Sequence, residues 1–445
     1  MHRDRIHLRA PKNWINDPNG FIWYHGAYHL FYQYFPYEPE WGTMHWGHAV
    51  SPDLVEWEHL DIALYPSQQW DRNGCFSGSA LEVSGQLYLY YTGVQYQDVD
   101  PLDIHRSVGG ETASQLMLIS RDGYTFDNRR DKRVILPPEE NRAGDPLNTR
   151  DPKVWRENGM YYMVLGTNEE RKYGKLLFYR STDALQWDYA FSYCRRDETW
   201  GWMWECPDLF RLGKREVLLL SAMGIQEDGE TVSWPVWTLV RSDMAQECFE
   251  TADTYGRMDF GCEYYAPQST VDAEGRRVVI GWLGMPRAFQ NADGTLWRGM
   301  MSLPRVAECR GDTVCFFPHP NILKMFSIEV SAGELDFACP FRMQISLPEG
   351  GTFELGGCRI YREDGRLCLD RDRALSGVRN GKLILRTDPV PGQCLLDLFV
   401  DFPAVEVYVN QGEKVLSCVI TEEIGHIAVP DGMAYRLFQT ALKEP

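Results

Sequence analysis

Three carboxyl residues stand out by their setting. Asp17, Asp151 and Glu205 each fall in a short polar cluster that runs straight into an apolar stretch: Asn16-Asp17-Pro18-Asn19-Gly20-Phe21-Ile22-Trp23, Arg150-Asp151-Pro152-Lys153-Val154-Trp155 and Glu205-Cys206-Pro207-Asp208-Leu209-Phe210. With 63 acidic residues in the chain, a pair of carboxylates means nothing by itself. Carboxyls brought together from repeated positions mean more, because one can attack a carbon while another donates a proton, and that is what cleaving a glycosidic bond requires. Taken alone, Asp17-Pro18-Asn19-Gly20 reads as a type I turn, with Asp first, Pro fixing φ at the second position and Gly fourth. Repetition is what argues for more than a turn.

The elements that must position these acids recur five times. Phe76-Ser77-Gly78-Ser79-Ala80-Leu81 and Ala266-Pro267-Gln268-Ser269-Thr270-Val271 complete the set of openings, and a second strand follows each: Tyr28 to Tyr34, Leu87 to Thr92, Tyr161 to Gly166, Glu216 to Ala222 and Arg277 to Leu283. A third element ends in Ser-x-Asp and then an aromatic residue, at Ser51/Asp53/Trp57, Ser120/Asp122/Phe126 and Ser181/Asp183/Trp187, and more loosely at Ser242-Asp243. Units of roughly 50 to 75 residues with three or four short strands have the length and pattern of β-propeller blades. Five units predict five blades, with the equivalent positions of the innermost strands converging on one end of a central channel. Asp17, Asp151 and Glu205 are then expected to meet there from equivalent repeat positions.

The pattern stops after Pro304-Arg305. Phe317-Pro318-His319-Pro320 reads as a linker, Asn321 to Phe326 as a short helix, and from about Ile328 period-two strands such as Met343 to Leu347, Lys382 to Arg386 and Val405 to Val409 alternate with turns. The predicted fold class is all-β: a five-bladed β-propeller over residues 1–318, followed by a C-terminal β-sandwich over 319–445.

Composition removes several function classes. A net charge of −18 repels phosphate backbones and anionic lipid, so neither nucleic acid nor membrane is an expected partner. Fifteen Trp and 23 Tyr suit the lining of polar, ring-shaped ligand sites as well as cores, and with the carboxyl pattern the expected partner is a small-molecule carbohydrate. No apolar run spans a bilayer, and the start, Met1 to Leu8, lacks an apolar signal core. Twelve scattered cysteines without a Cys-x-x-Cys pair read as reduced thiols. The expectation is a cytoplasmic enzyme without a cofactor, whose oligomeric state the sequence leaves open.

The blocks Trp14 to Gly20, Trp46 to Ser51, Phe76 to Ser79, Arg150-Asp151-Pro152, Glu205-Cys206-Pro207, Tyr265 to Gln268, Gly281-Trp282-Leu283 and Met301 to Arg305 resemble, in order, the signature blocks of glycoside hydrolase family 32. That resemblance implies retaining cleavage of β-fructofuranosides without a metal. Asp17 is then the nucleophile, Glu205 the acid/base, and Asp151 a transition-state stabiliser with Arg150 beside it. It also sets Asn16, Gln33, Trp41, Phe76, Ser77, Arg150, Cys206, Tyr265 and Trp282 around the substrate. Cys206 lacks a histidine in any matching motif, so packing beside the acid is its expected role rather than attack. Two neighbouring anions, Asp17 and Asp151, are expected to hold a proton on Glu205.

Rival readings are a non-catalytic fructoside-binding propeller, an inverting enzyme with more widely spaced acids, fructosyl transfer, and an exo-acting fructanase on short inulin- or levan-type oligosaccharides. Sucrose and sucrose 6-phosphate are the expected substrates. A phosphate would need basic residues at the rim, for which His105-Arg106 and Arg171-Lys172 are candidates. His45 and His48, three apart on a strand, point to opposite faces and are not expected to bind a metal.

Overall fold

Period-two patterning along the chain becomes strand almost throughout. The computed structural model describes residues 6–140, 143–227, 229–378 and 382–440, so the first five residues of the start read for a leader lie outside it. Five mainly antiparallel sheets come first, one after another along the chain, the first also taking two strands from residues 289–298. Their opening strands are Asn13–Tyr24, Cys75–Val83, Arg150–Glu157, Met203–Leu212 and Tyr264–Val271. Each opening strand pairs with the second strand predicted for it, and each lies against the opening strand of the next sheet, the fifth returning to the first. The chain also ties its ends together, since Leu296–Arg298 runs parallel beside Asn13–Tyr24 and so adds late residues to the first sheet.

The turn spelled by Asp17-Pro18-Asn19-Gly20 does not form, because those residues lie within the strand Asn13–Tyr24. Their turn-prone chemistry serves a β-bulge instead. Between Ile15 and Pro18 the strand advances three residues while its partner advances two, from Tyr34 to Tyr32. The same single-residue excess recurs at Cys75/Gly78, Arg150/Lys153, Glu205/Asp208 and Tyr265/Gln268. A bulge leaves the extra residue outside the ladder, which is why proline is tolerated at Pro152, Pro207 and Pro267, and why Asp151, Cys206 and Ala266 take φ of +65°, +48° and +48°. The bulge re-aims the side chains of one short stretch per sheet toward the middle of the ring.

The Ser-x-Asp corners are capping turns. Ser51 Oγ accepts from Leu54 N–H at 2.8 Å while Asp53 Oδ1 accepts from Val55 and Glu56 N–H at 2.9 Å, and Ser181/Asp183 repeats the arrangement. His48 and His45 are buried apart in function: His48 Nε2 meets His29 Nδ1 at 3.0 Å, and His45 Nδ1 bonds the Thr43 carbonyl.

After the helix Pro320–Met325 the chain forms a six-stranded and a five-stranded sheet with their own apolar core around Phe341, Phe353, Ile360, Leu398 and Val407. The outer face of the six-stranded sheet shares a second core with the first and fifth sheets through Phe399, Tyr408 and Val415. A buried charge cluster pins that junction. His7 bridges Asp401 at 3.0 Å and Glu406 at 3.1 Å, and Arg305 bridges Glu406 at 2.8 Å and Asp259 at 2.9 Å.

Removing one member of such a cluster leaves buried charge uncompensated, at a cost of roughly 3–5 kcal/mol. His7→Ala is therefore expected to lower denaturant stability by about that much. Burial opposes the His7 charge, but hydrogen bonds and the charges of Asp401 and Glu406 prevail and raise its pKa above 6.5. Its stabilisation is present below pH 6.5 and fades as pH rises through the raised value, so the wild-type unfolding midpoint should fall over that window and the variant's should fall less. Equal slopes in both proteins would contradict this assignment.

Candidate active site

The bulges deliver a cavity of about 520 Å³ lined by Trp14, Asn16, Asp17, Gln33, Trp41, Phe76, Ser77, Asn148, Arg150, Asp151, Glu205, Tyr265 and Trp282, with Gly110, Glu111, Leu147 and Arg171 at its wall. Every residue proposed for the site from sequence lines it except Cys206, which is buried beneath the acids. Trp282, although it lies in the apolar strand Arg277–Leu283, is only half-buried and packs its ring 5.8 Å from that of Trp14.

Contrary to the expectation from sequence, the three acids do not share one repeat position. Aligning the bulges places Glu205 at the residue before the extra one, Asp151 at the first bulge residue and Asp17 at the second. Each level is hydrogen-bonded within itself around the ring. At the first level Arg150, Glu205 and Tyr265 are equivalent: Arg150 Nη2 and Nε donate to Glu205 Oε1 at 2.7 and 3.2 Å, and Tyr265 Oη donates to Oε2 at 2.7 Å. At the second, Cys206 N–H donates to Asp151 Oδ2 at 2.9 Å. At the third, Ser77 Oγ donates to Asp17 Oδ2 at 2.6 Å. At the next residue of the bulge Lys153 pairs with the buried Asp208 at 3.0 Å.

Asp17 is aimed by its donors. Asn16 Nδ2 holds Oδ1 at 3.1 Å and is itself fixed by Trp14 Nε1 on its Oδ1 at 2.8 Å, while Gln33 Nε2 orients Ser77 by donating to its Oγ at 2.6 Å. The Cys206 thiol reaches both Asp17 Oδ2 and Asp151 Oδ2 at 3.7 Å. Burial and then the charges of Asp151 and Asp17 push that thiol well up, so it stays a proton-bearing donor between two carboxyls and is no nucleophile.

The proton expected on Glu205 meets a competing feature there. Arg150 makes its short contacts to Glu205, not to its chain neighbour Asp151, whose Oδ2 is 3.9 Å from Nε, so the cation sits where two anions alone had been foreseen. Asp17 and Asp151 are raised above the usual carboxyl range, as is Glu111 at the cavity wall. Burial lifts Asp17, with Ser77 opposing and Glu205 assisting. Burial also lifts Asp151 to about 7, against Arg150 and with Glu205. Asp151 is thereby set to exchange a proton close to neutrality at the wall of the cavity.

Sequence reasoning missed Trp14, Glu111 and Asn148. Trp14 opens the first signature block and was readable there. Glu111 and Asn148 come from the chain entering the third strand of the second sheet and from the loop before Arg150, outside any repeated position. Of the rim candidates, Arg171 lines the cavity beside Asp145 at 3.8 Å, whereas His105 is an anchor, bonded to Thr43 at 2.7 Å and packed on Phe35. Among the described residues no group of three or more His, Cys, Asp or Glu side chains could hold a metal ion.

Carboxyls from neighbouring strands over one sugar-sized cavity, oriented by a guanidinium and walled by indoles, define a glycoside hydrolase. The chain belongs to glycosyl hydrolases family 32, whose N-terminal domain model matches residues 7–318. It is 34% identical over 438 residues to a sucrose-6-phosphate hydrolase of Escherichia coli, covering 93% of this chain and 88% of that protein. It is 33% identical over 440 residues to a raffinose invertase of Escherichia coli, with the same coverage of both chains. Among solved structures, the Bombyx mori GH32 beta-fructofuranosidase superposes with a TM-score of 0.80 at 28% identity, over 98% of this chain and 93% of that one. No helix among the described residues is long and apolar enough to cross a membrane.

Because Asp151 is held up in the folded protein relative to its ordinary 3.8, the folded state binds more protons than the unfolded one between about pH 4 and 7, and stability falls as pH rises through that window. Asp151→Asn removes the dependence. The variant is expected to be more stable than wild type at pH 8, by roughly 1–4 kcal/mol in denaturant unfolding, even as activity is lost. A less stable variant at pH 8 would contradict the electrostatic account.

Proposed function

We propose that the protein is a retaining β-fructofuranosidase that hydrolyses the fructosyl bond of sucrose or sucrose 6-phosphate through a covalent fructosyl-enzyme intermediate. The observation that carries this reading is the shared cavity. Asp17, oriented by Ser77 and Asn16, and Glu205, held by Arg150 and Tyr265, face one space with Asp151 between them. Family membership and relatives named for sucrose-type substrates support the same chemistry.

In this reading Asp17 attacks the anomeric carbon of the fructosyl unit. Glu205 gives a proton to the leaving oxygen, then takes one from the water that releases fructose, so one residue serves both steps. Asp151 accepts hydrogen bonds from sugar hydroxyls as charge develops on the ring, with Arg150 fixing Glu205 across from it. Asn16, Gln33, Trp41, Phe76, Ser77, Tyr265 and Trp282 enclose the fructose, and Cys206 acts from beneath as a bridge between Asp17 and Asp151.

The architecture proposed to support this is a five-bladed propeller over residues 1–318 and a β-sandwich over 319–445; five sheets whose opening strands lie each against the next, the fifth against the first, favour it. A cytoplasmic location is proposed as well, and cysteines scattered along the chain without a Cys-x-x-Cys pair fit a reducing compartment.

Fructose release from sucrose tests the assignment. Asp17→Ala and Glu205→Ala should each lose on the order of 10²-fold or more in kcat. Proton NMR of the first product should show the β-anomer of fructofuranose before mutarotation. An initial α-anomer would refute retention, and full activity in either variant would refute the residue roles.

A further inference from the structure

The loop that enters the third opening strand carries a carboxylate outside the catalytic tiers. Asp145 keeps only 13% of its side chain exposed and collects donors on both oxygens. Oδ1 accepts from the Leu147 N–H at 2.9 Å, and Oδ2 accepts from Asn148 Nδ2 at 2.9 Å and from Asn168 Nδ2 at 3.0 Å. Arg171, two-thirds exposed, shares Oδ2 only at 3.8 Å, a weak pairing by comparison. Burial opposes the charge of Asp145, but the hydrogen bonds from Asn148, Leu147 and Asn168, with the charge of Arg171, prevail and hold its pKa below the usual carboxylate range. Ionised, both oxygens can only accept.

This carboxylate is presented from a fixed base. The Asp145 N–H donates to Thr167 Oγ1 at 3.0 Å, its carbonyl accepts from Thr149 Oγ1 at 2.7 Å, and the two threonine hydroxyls meet at 2.9 Å. Both threonines are fully buried, Thr167 in the strand Met160–Glu169. A side chain at Gly144 would run into the same two hydroxyls, at 2.7 and 2.8 Å, so the loop lies tightly against the sheet.

Asn148 stands between Asp145 and Arg150. An amide has one donating and one accepting end, and its neighbours decide which way it points. Here each neighbour has a single sense, since the carboxylate only accepts and the guanidinium only donates. Nδ2 therefore faces Asp145, which leaves Oδ1 to accept from Arg150 Nη1 at 3.3 Å. Tied on that side, Arg150 turns Nη2 and Nε to Glu205 Oε1, at 2.7 and 3.2 Å. The rival acceptor is Asp151 Oδ2, 3.9 Å from Nε, and the Asn148 oxygen keeps the planar fork from turning to it.

We infer that Asp145 is a positioning residue which, through the amide of Asn148, commits Arg150 to Glu205 rather than to Asp151 and so aims the proton donor at the leaving oxygen. This rests on the fructosidase reading, in which Glu205 is that donor. With the relay cut, the guanidinium divides between two carboxyls and protonation of the leaving group suffers. Attack by Asp17 does not pass through this route, because its donors are Ser77, Asn16 and Cys206.

The test compares two substrates in each protein. One is whichever of sucrose and sucrose 6-phosphate wild type cleaves faster, whose leaving group needs a proton; the other is a fructosyl fluoride, whose leaving group needs none. Asp145→Asn keeps the shape but turns an acceptor-only group into an amide, and should lower kcat/KM about tenfold on the sucrose substrate and less than about twofold on the fluoride. Asn148→Ala should show the same split, and the double variant should be no worse than Asn148→Ala, its route being already severed. If Asp145 merely braces the loop, both substrates fall alike, and that result overturns the relay, as do losses that add in the double variant. Asn148→Ala leaves the Asp145 contacts to Leu147, Thr149, Thr167 and Asn168 in place, so it reads the relay even where Asp145→Asn folds poorly. Wild type that releases fructose from no substrate contradicts the fructosidase, whereas unchanged activity on the sucrose substrate in either single variant contradicts the relay alone.

Discussion

One extra residue in the opening strand of each sheet is the constraint from which the site follows. A regular strand would alternate Glu205, Cys206, Pro207 and Asp208 between its two faces, and the carboxyl of Glu205 could not reach Arg150 and Tyr265 of the adjacent sheets while Cys206 N–H reaches Asp151. The bulge makes both contacts possible, and five copies of it stack three tiers of polar groups around one axis. Each tier is satisfied by its neighbours in the ring, which lets so much polarity sit among buried strands.

The electrostatics of the site follow from that stacking. Three carboxyls and one guanidinium occupy successive tiers, so Arg150 compensates one carboxylate closely and the others only partly. Asp17 and Asp151 rise in pKa as a result, chiefly through burial, and Asp17 remains usable as a nucleophile because Ser77, Asn16 and the Cys206 thiol all donate to it. The buried charges at the junction with the C-terminal sheets contrast with this, since there His7 and Arg305 each bridge two carboxylates among Asp401, Glu406 and Asp259.

Much of this was legible in the chain. The five openings, their second strands, the Ser-x-Asp corners and the helix before the C-terminal sheets are local patterns, set by alternation and turn chemistry. Register was not legible. That Asp17, Asp151 and Glu205 sit on three tiers depends on where a bulge falls, and nothing in Asn-Asp-Pro, Arg-Asp-Pro or Glu-Cys-Pro announces which residue is the extra one; the prolines mark the neighbourhood only. Asp17-Pro18-Asn19-Gly20 illustrates the difficulty, since its turn propensity is real but yields to strand pairing of Pro18 and Asn19 with Tyr32 and Phe31. Asp145 was invisible for a further reason: it meets Arg150 only through Asn148, in a loop outside any repeated position, a contact no local pattern encodes.

The central claim is that these tiers set Asp17 to bond covalently to a sugar whose leaving group Glu205 assists. The most direct measurement is mass spectrometry of peptides from Glu205→Gln quenched during turnover of a fructosyl fluoride, whose leaving group needs no proton. The account predicts one hexosyl residue on the peptide that carries Asp17, absent when Asp17→Asn is added. A label on Asp151 or Cys206, or none at all while fructose is still released, would contradict it.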